Sequence, residues 1–274
     1  MSEKVDQVQY IDLDKNIAES NSAFLKKLPK FIVKRLKKII CQQKLNDILN
    51  KYAAFEGLAF LEKIIEDFQL NLEISGKENL PENGRCFFAA NHPFGILDGL
   101  ILTHTVSSKY GKITAIANDA FMLLPHLRPI ITEINVYGSS SKKRISALNK
   151  MYASELPITH FPAGEVSRVY EGKIQDTNWQ KSFIRKAIEH NRSIVPIRFE
   201  GGNSNLFYQV YKLRKALGIG MNLELALLPR EFFKKRKATI KMHIGKPIIP
   251  EQLTKTKSHD QWAQNIRAEV YSMA

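Results

Sequence analysis

The sequence predicts an α/β fold with a mixed, largely parallel central sheet of about seven strands, flanked by helices and preceded by a basic helical segment. Three observations support this class. From about residue 70 onward, short β-like runs alternate with helical patterns, as in a sheet covered on both faces. Before that point the apolar spacing is helical. Between the two regions, "NLEISGKENLPENGRC" is rich in Gly, Asn and Pro, which indicates loops and turns.

Each predicted strand is a short apolar run. The runs are Cys86–Ala90, Ile113–Ala117, Ile131–Val136, Ile158–Phe161, Ser193–Phe199, Leu223–Leu228 and Thr239–Ile244. Binding and catalytic residues of open α/β sheets lie beyond the carboxyl ends of their strands. Residues that follow these runs are therefore the first candidates for a site.

Residues 1–70 are predicted to form a helical, membrane-associating segment and residues 71–274 the α/β domain. After Pro29, apolar residues recur at helical spacing while lysines and arginines fill much of the remaining surface. Such a helix can bury its apolar side in its own domain, or lie among lipid headgroups with its lysines toward anionic lipid. The two arrangements are compatible if the helix is only partly covered.

The composition and charge indicate which classes of protein the chain can belong to. The hydrophobic fraction of 44% and the charged fraction of 25% are those of a globular chain rather than a disordered one. The formal charge of +14 favours polyanionic partners, which include nucleic acid and anionic membranes. Cys41 and Cys86 are too few for a disulfide framework and fit a reducing compartment. Neither a signal peptide nor an apolar run long enough to span a membrane is expected.

One stretch, "FAANHPFGILDGL", places a titratable ring at a break in the chain. His92 follows a predicted strand and precedes Pro93, so it is expected in an extended or turn conformation. Asp98 lies six residues on, at the start of a helical pattern. In a continuous helix the two would face apart, but the Pro-Phe-Gly break lets the chain fold back so that they meet.

A carboxylate beside an imidazole fixes its tautomer and leaves the other nitrogen free as a general base. No G-x-S-x-G elbow supplies a protein nucleophile. The substrate is therefore expected to bring its own nucleophile, such as a hydroxyl. The alternative is that Asp98 only caps the helix.

Three blocks resemble those of the glycerolipid acyltransferases, which include the 1-acylglycerol-3-phosphate acyltransferases. "NHPFGILD" resembles the N-H-x-x-x-x-D block, "HFPAGEVSR" the F-P-E-G-T-R-S block and "IVPIRF" the V-P-I/V block. The order and rough spacing also agree. The motif variants "NHPFG" and "FPAGE" and the basic N-terminal helices resemble those of a bacterial hemolysin-like subgroup. This subgroup is related to enzymes that O-acylate lyso-ornithine or lyso-glycine lipids.

This resemblance implies that His92 is the general base and Asp98 its orienting acid, acting on a lysolipid hydroxyl that attacks an acyl thioester of acyl carrier protein or CoA. It implies no metal and no cofactor beyond that co-substrate. A peripheral enzyme on the anionic, cytoplasmic face of the inner membrane is expected. No nucleic acid partner is expected, because the sequence has no helix-turn-helix spacing, RRM signature or paired aromatic platform. The implied substrate-binding residues are Asn91, Phe161, Pro162, Gly164, Glu165, Arg168 and Pro196.

The chain departs from the family pattern in its acceptor-binding blocks. Ala163 stands where the family has Glu, and Val166 where it has Arg, so acceptor binding by Glu165 and Arg168 is a hypothesis. Gly138 replaces another family arginine, for which a residue of the "KKR" run at 142–144 is a substitute. Two other functions stay open: a non-enzymatic protein that binds polyanions, and an acyl-thioester hydrolase that uses water in the same pocket. His160 is interpreted as a structural histidine.

Overall fold

The computed structural model describes residues 7–116, 124–131 and 141–273. Five helices come first: α1 (Leu13–Glu19), α2 (Ala23–Lys26), α3 (Lys30–Ile39), α4 (Gln42–Lys51) and α5 (Gly57–Asp67). The chain then continues as β1 (Asn71–Ser75), β2 (Cys86–Ala90), α6 (Ile96–Tyr110), β3 (Thr114–Ile116), α7 (Ser141–Ala153), β4 (Ile158–His160), β5 (Arg168–Tyr170), β6 (Lys173–Gln175), α8 (Ser182–Glu189), β7 (Ser193–Phe199), α9 (Asn205–Ala216), α10 (Leu228–Phe233), β8 (Thr239–Ile244) and α11 (His259–Ser272).

Within the described residues, the central sheet has the strand order β1-β8-β7-β2-β4-β3. Every pair in it is parallel except β7 with β8, which is antiparallel. Strands β5 and β6 form a separate antiparallel hairpin. The predicted α/β class with a mixed, largely parallel sheet is confirmed.

The core lies on both faces of the central strand β2, whose five residues are all buried. Phe88 packs in a cluster with α4, α5 and α6, whereas Phe87 packs in a second cluster with α8 and α11. This alternation follows from the opposite directions of successive side chains in a strand. The result is a sheet between two helical layers, in which α4 and α5 share the core of the sheet.

Helix α3 is attached to this core more loosely. It has no fully buried residue, and the Phe31 side chain is 66% exposed. Across the described ranges, no helix combines the length and the apolar content that crossing a bilayer requires. The exposed apolar residues of α3 are therefore left on the surface of the protein.

The strand predictions have specific errors. The run Leu223–Leu228 is not a strand, because Leu223–Leu227 forms a 3₁₀ helix whose buried residues Glu224 and Leu227 are three apart. The sequence predicts a loop for the residues of β1, but they form a strand that pairs in parallel with β8 at one edge of the sheet. Ile131 forms an isolated bridge with Ile113, and the rest of the predicted strand that begins there lies outside the described residues.

Truncation of a central core side chain tests this packing. Phe88 is fully buried, so Phe88→Ala leaves a cavity and is expected to lower the free energy of unfolding by about 3–5 kcal/mol. Phe31→Ala, at the exposed position on α3, is the control and is expected to change it by about 0.5 kcal/mol or less. Denaturant unfolding of both variants measures the difference, and equal losses would contradict the described core.

Candidate active site

The site begins at the carboxyl ends of two neighbouring parallel strands. Strand β2 ends at Ala90 and β4 at His160, and Ala89 is paired with His160. The segments that follow, which contain His92 and Phe161, therefore leave the sheet side by side. The His92 and Phe161 rings stack with centroids 3.9 Å apart and an interplanar angle of 22°. This stacking sets the plane of the imidazole.

Gly95 turns the chain between His92 and α6. Its φ of 84° lies in the region that L side chains rarely adopt, and a Cβ there would come 2.8 Å from Cδ2 of Leu228. Any other residue would therefore be strained at this position. The turn lets α6 start at Ile96 and brings its first turn back toward His92.

The turn places the His92 imidazole against the Asp98 carboxylate. The His92 Nδ1 lies 3.0 Å from Oδ1 of Asp98, and the two side chains are 18% and 0% exposed. The approach is not a fully aligned hydrogen bond, because His92 Nδ1 has no partner that meets hydrogen-bond geometry. The pair is therefore in contact, with the imidazole open to the surface and the carboxylate sealed behind it.

Asp98 also caps helix α6. Its Oδ2 accepts hydrogen bonds from the backbone N–H groups of Phe94 (2.8 Å) and Gly95 (3.2 Å), and its Oδ1 accepts one from Gly99 N–H (2.9 Å). These donors and the positive end of the helix dipole stabilise a buried carboxylate. The Asp98 carboxylate therefore caps the helix and contacts His92 at the same time. The two alternatives considered from the sequence do not exclude each other.

The backbone of His92 is bound on both sides. Its carbonyl accepts a hydrogen bond from Ser167 N–H (2.8 Å), and its own N–H donates to Oδ1 of Asp176 (3.2 Å). Ser167 belongs to the "FPAGEVSR" block, so this block and "NHPFGILD" meet directly through the main chain. The position of the His92 ring therefore depends on both blocks.

Asp176 was not identified from the sequence. It is buried, accepts hydrogen bonds from Ser167 Oγ (2.5 Å) and Trp179 Nε1 (2.9 Å), and follows the β5–β6 hairpin. Burial raises the pKa of this carboxyl, while the bonds from Ser167 and Trp179 act in the opposite direction. No local motif marks the residue as part of the site, because its contact with His92 joins positions that are 84 apart in the chain.

Asn91 makes structural contacts that use both ends of its amide. Its Nδ2 donates to the carbonyl of Phe199 (2.9 Å), and its Oδ1 accepts from Phe199 N–H (2.7 Å). The side chain is buried beside the carboxyl end of β7. These bonds engage the amide with the sheet, and the expected contact of Asn91 with substrate stays a prediction.

Arg168 also departs from the expected role. It is fully buried, and its guanidinium pairs with Glu224 through Nη2 (2.8 Å) and donates to the carbonyl of Val166. The rings of Phe207 and Tyr211 lie against it. The guanidinium therefore faces Glu224 in the interior, and acceptor binding by Arg168 stays a prediction.

The remaining expected residues lie around the turn after β4 and in β7. Pro162 is buried, and Gly164 adopts a φ of 71° in an exposed turn. Pro196 is buried in β7 opposite Ala89 of β2. Glu165 is half-buried and opens onto a cleft of about 340 Å³, which is also lined by Tyr170, Tyr211, Arg214, Lys215, Gly218, Ile219, Gly220 and Asn222.

Comparison with known proteins gives a consistent result. Residues 15–274 match the family model described as Acyltransferase. The chain belongs to this acyltransferase family. It is similar to the lyso-glycine lipid O-acyltransferase of Phocaeicola vulgatus, with 39% identity over 98% of this chain and 96% of the relative. It is also similar to the protein of that name from Bacteroides thetaiotaomicron, with 37% identity over 98% and 99% of the two chains.

A solved structure also resembles the fold of this acyltransferase. It is the 1-acyl-sn-glycerophosphate acyltransferase PlsC of Thermotoga maritima, with a TM-score of 0.47 and 14% identity over 78% of this chain and 80% of that one. The family and the curated relatives show that the protein is an O-acyltransferase. Among the described residues of the enzyme, no group of His, Cys, Asp or Glu side chains is arranged to hold a metal ion.

The Asn91 bonds lead to a prediction about stability. Asn91→Ala leaves the buried N–H and carbonyl of Phe199 without these partners, so the free energy of unfolding is expected to fall by about 2–4 kcal/mol. Asn205→Ala, at an exposed position at the start of α9, is the control with an expected change of about 0.5 kcal/mol or less. Unfolding midpoints measure both, and an Asn91→Ala variant as stable as the control would rule out the structural role.

His160 gives a second prediction, on pH. Its Nδ1 is buried without a hydrogen-bond partner, and burial lowers its pKa from 6.5 to about 4. The unfolded state then binds more protons between these values, so the free energy of unfolding falls by up to about 3 kcal/mol as the pH drops through this window. His160→Leu is expected to make the fall shallower. Unfolding curves measured across this pH range would refute the assignment if the two slopes were equal.

Proposed function

We propose that this acyltransferase moves a fatty acyl group from an acyl thioester, carried by acyl carrier protein or CoA, to the hydroxyl of a lysolipid. The observation that carries the proposal is the His92 ring, partly exposed at the carboxyl end of β2, with Asp98 3.0 Å behind its Nδ1. The curated relatives are named lyso-glycine lipid O-acyltransferases, so a lyso-glycine lipid is the proposed acceptor.

In the proposed reaction, His92 carries one proton from the acceptor hydroxyl to the departing thiolate. His92 Nε2 takes the proton of the acceptor hydroxyl, while the Asp98 carboxylate at Nδ1 stabilises the imidazolium that forms. The acceptor oxygen attacks the thioester carbonyl carbon, so a C–O bond forms and the C–S bond breaks. The imidazolium then gives its proton to the departing thiolate. No acyl group is attached to the protein at any point.

The imperfect alignment of His92 with Asp98 is compatible with this role. Catalytic hydrogen bonds are often long or poorly directed before substrate binds, and they tighten in the complex. The stack with Phe161 and the backbone bonds from Ser167 and to Asp176 limit the ring to small adjustments.

The environment of Arg168 supports an acceptor with a small anionic head. Val166 occupies the position of the family arginine, and Arg168, the hypothetical substitute, is buried with its guanidinium paired to Glu224. A phosphate head carries up to two charges and favours a guanidinium ligand, whereas the head of a glycine lipid is a single carboxylate. The loss of that cation from the acceptor side therefore fits a glycine lipid better than lysophosphatidic acid.

The site of action is proposed to be the surface of an anionic membrane, at the cytoplasmic face of the inner membrane, with the enzyme bound peripherally. Helix α3 supports this through its exposed Lys34, Arg35 and Lys38 and its exposed Phe31. Basic and apolar side chains on one surface helix are the combination that binds anionic lipid headgroups.

Removal of the base tests the proposal. His92→Ala is expected to lower kcat for acyl transfer by at least about 10²–10⁴-fold, because general base catalysis contributes this much. The matched control is His259→Ala, which removes an exposed histidine at the start of α11 and is expected to keep full activity. Purified protein is assayed with acyl carrier protein and CoA thioesters, and with lyso-glycine lipid, lyso-ornithine lipid or lysophosphatidic acid as acceptor.

The alternatives predict different products in the same assay. Acyl transfer that is unchanged in His92→Ala would remove the base assignment. Release of free fatty acid at one rate, with or without acceptor, would favour a thioester hydrolase. Salt-sensitive binding to nucleic acid without acyl transfer to any acceptor would favour a protein that only binds polyanions.

A further inference from the structure

Exposed apolar side chains are concentrated in one stretch of the enzyme. Of the large hydrophobic residues that are exposed in the described part of the chain, half lie between residues 206 and 223: Leu206, Leu213, Leu217, Ile219, Met221 and Leu223. Leu217 is 64% exposed and Met221 59%. We call residues 217–223, which connect α9 to the following 3₁₀ helix, the apolar loop. A concentration of exposed large apolar side chains in one short segment favours an interaction site.

The apolar loop is held in place by polar groups on its inner side. The buried Arg214 pairs with the buried Glu224 (Nε to Oε2, 2.6 Å) and donates to the carbonyl of Ile219 (3.1 Å) and to Oδ1 of Asn222. The ion pair thus lies inside and the leucine, isoleucine and methionine side chains lie outside. In most soluble proteins the large apolar side chains are buried and the charged ones are exposed. Here the charged pair is buried and the apolar side chains are exposed.

The charges within the stretches that contain the apolar loop and helix α3 are all positive, and Glu165 lies in the adjoining cleft. Residues 201–223 contain no Asp or Glu, and neither do residues 20–46, which include α3. Helix α3 packs against the 3₁₀ helix that follows the loop, so the two basic stretches are neighbours. Lys212, Lys215 and Lys34 are exposed, and none forms a salt bridge with another described residue. These lysines are free to meet anionic headgroups.

We infer that the apolar loop docks the enzyme on an anionic bilayer, with its leucine, isoleucine and methionine side chains among the acyl chains and the neighbouring lysines at the headgroups. The inference rests on the proposed function and adds a specific docking element that is separate from the N-terminal helical segment. Gly218, Ile219 and Gly220 also line the cleft that contains Glu165. Docking by the loop therefore places the mouth of that cleft at the lipid surface, where a lysolipid is found.

A matched pair of double variants tests the docking surface. The full chain is sedimented with phosphatidylcholine vesicles that contain or lack phosphatidylglycerol. The double variant Leu217→Asn with Met221→Asn is expected to bind the anionic vesicles about tenfold or more weakly. The control double variant, Ile188→Asn with Ile249→Asn, alters side chains that are 38% and 46% exposed elsewhere and is expected to bind like the parent.

A second readout reports insertion directly. Leu217→Trp is expected to show a blue-shifted emission with anionic vesicles and quenching by brominated acyl chains. Vesicle binding does not require turnover, and acyl transfer to detergent-dispersed acceptor is measured in parallel with an expected rate like the parent's. A failure of the proposed function therefore appears as absent transfer in every variant, separately from the binding result.

Three results would overturn the docking inference. One is parental affinity of the loop double variant for anionic vesicles, and another is an equal loss of affinity in the control double variant. The third is unchanged vesicle binding together with loss of self-association or of acyl carrier protein binding in the loop variant, which would assign the surface to a protein partner.

Discussion

The site depends on one buried carboxylate that makes two kinds of contact. Asp98 accepts the N–H groups of Phe94 and Gly95, which would otherwise lack partners at the start of α6, and the same group approaches Nδ1 of His92. A charge sealed from water is tolerated only with such partners. The helix start, the glycine turn and the orientation of the imidazole are therefore parts of one arrangement, and disturbance of any of them is expected to displace the ring.

The sheet supplies the rigid support for this arrangement. Because β2 and β4 are parallel neighbours, the segments after them meet, and the His92 carbonyl is bonded to Ser167, which lies 75 positions later in the chain. Asp176 joins the same group from beyond the β5–β6 hairpin. The bond between Ser167 and His92 uses main-chain atoms on both sides, whereas the bonds of Asp176 require its carboxylate.

The sequence predicted the parts of this site that are local. The strand before His92, the break at Pro93 and Gly95, and an acid in the first turn of α6 all follow from spacing and backbone preference. The pairing of Arg168 with Glu224 was missed because it joins residues 56 positions apart. The residue type alone also does not show whether an arginine is buried or exposed. Strand β1 was missed because its neighbour in the sheet, β8, comes near the end of the chain. The bonds of Asn91 were missed for a similar reason, since its partner Phe199 is the last residue of a different strand, β7.

The central claim is that Asp98 holds His92 with its proton on Nδ1, so that Nε2 faces the acceptor without one. Nitrogen-15 NMR of the histidine-labelled enzyme, at a pH where the His92 ring is neutral, measures this directly. We predict a protonated Nδ1 and an unprotonated Nε2 for His92, and loss of this preference in Asp98→Ala. A neutral ring that carries its proton on Nε2, or one whose tautomer is indifferent to Asp98, would contradict it.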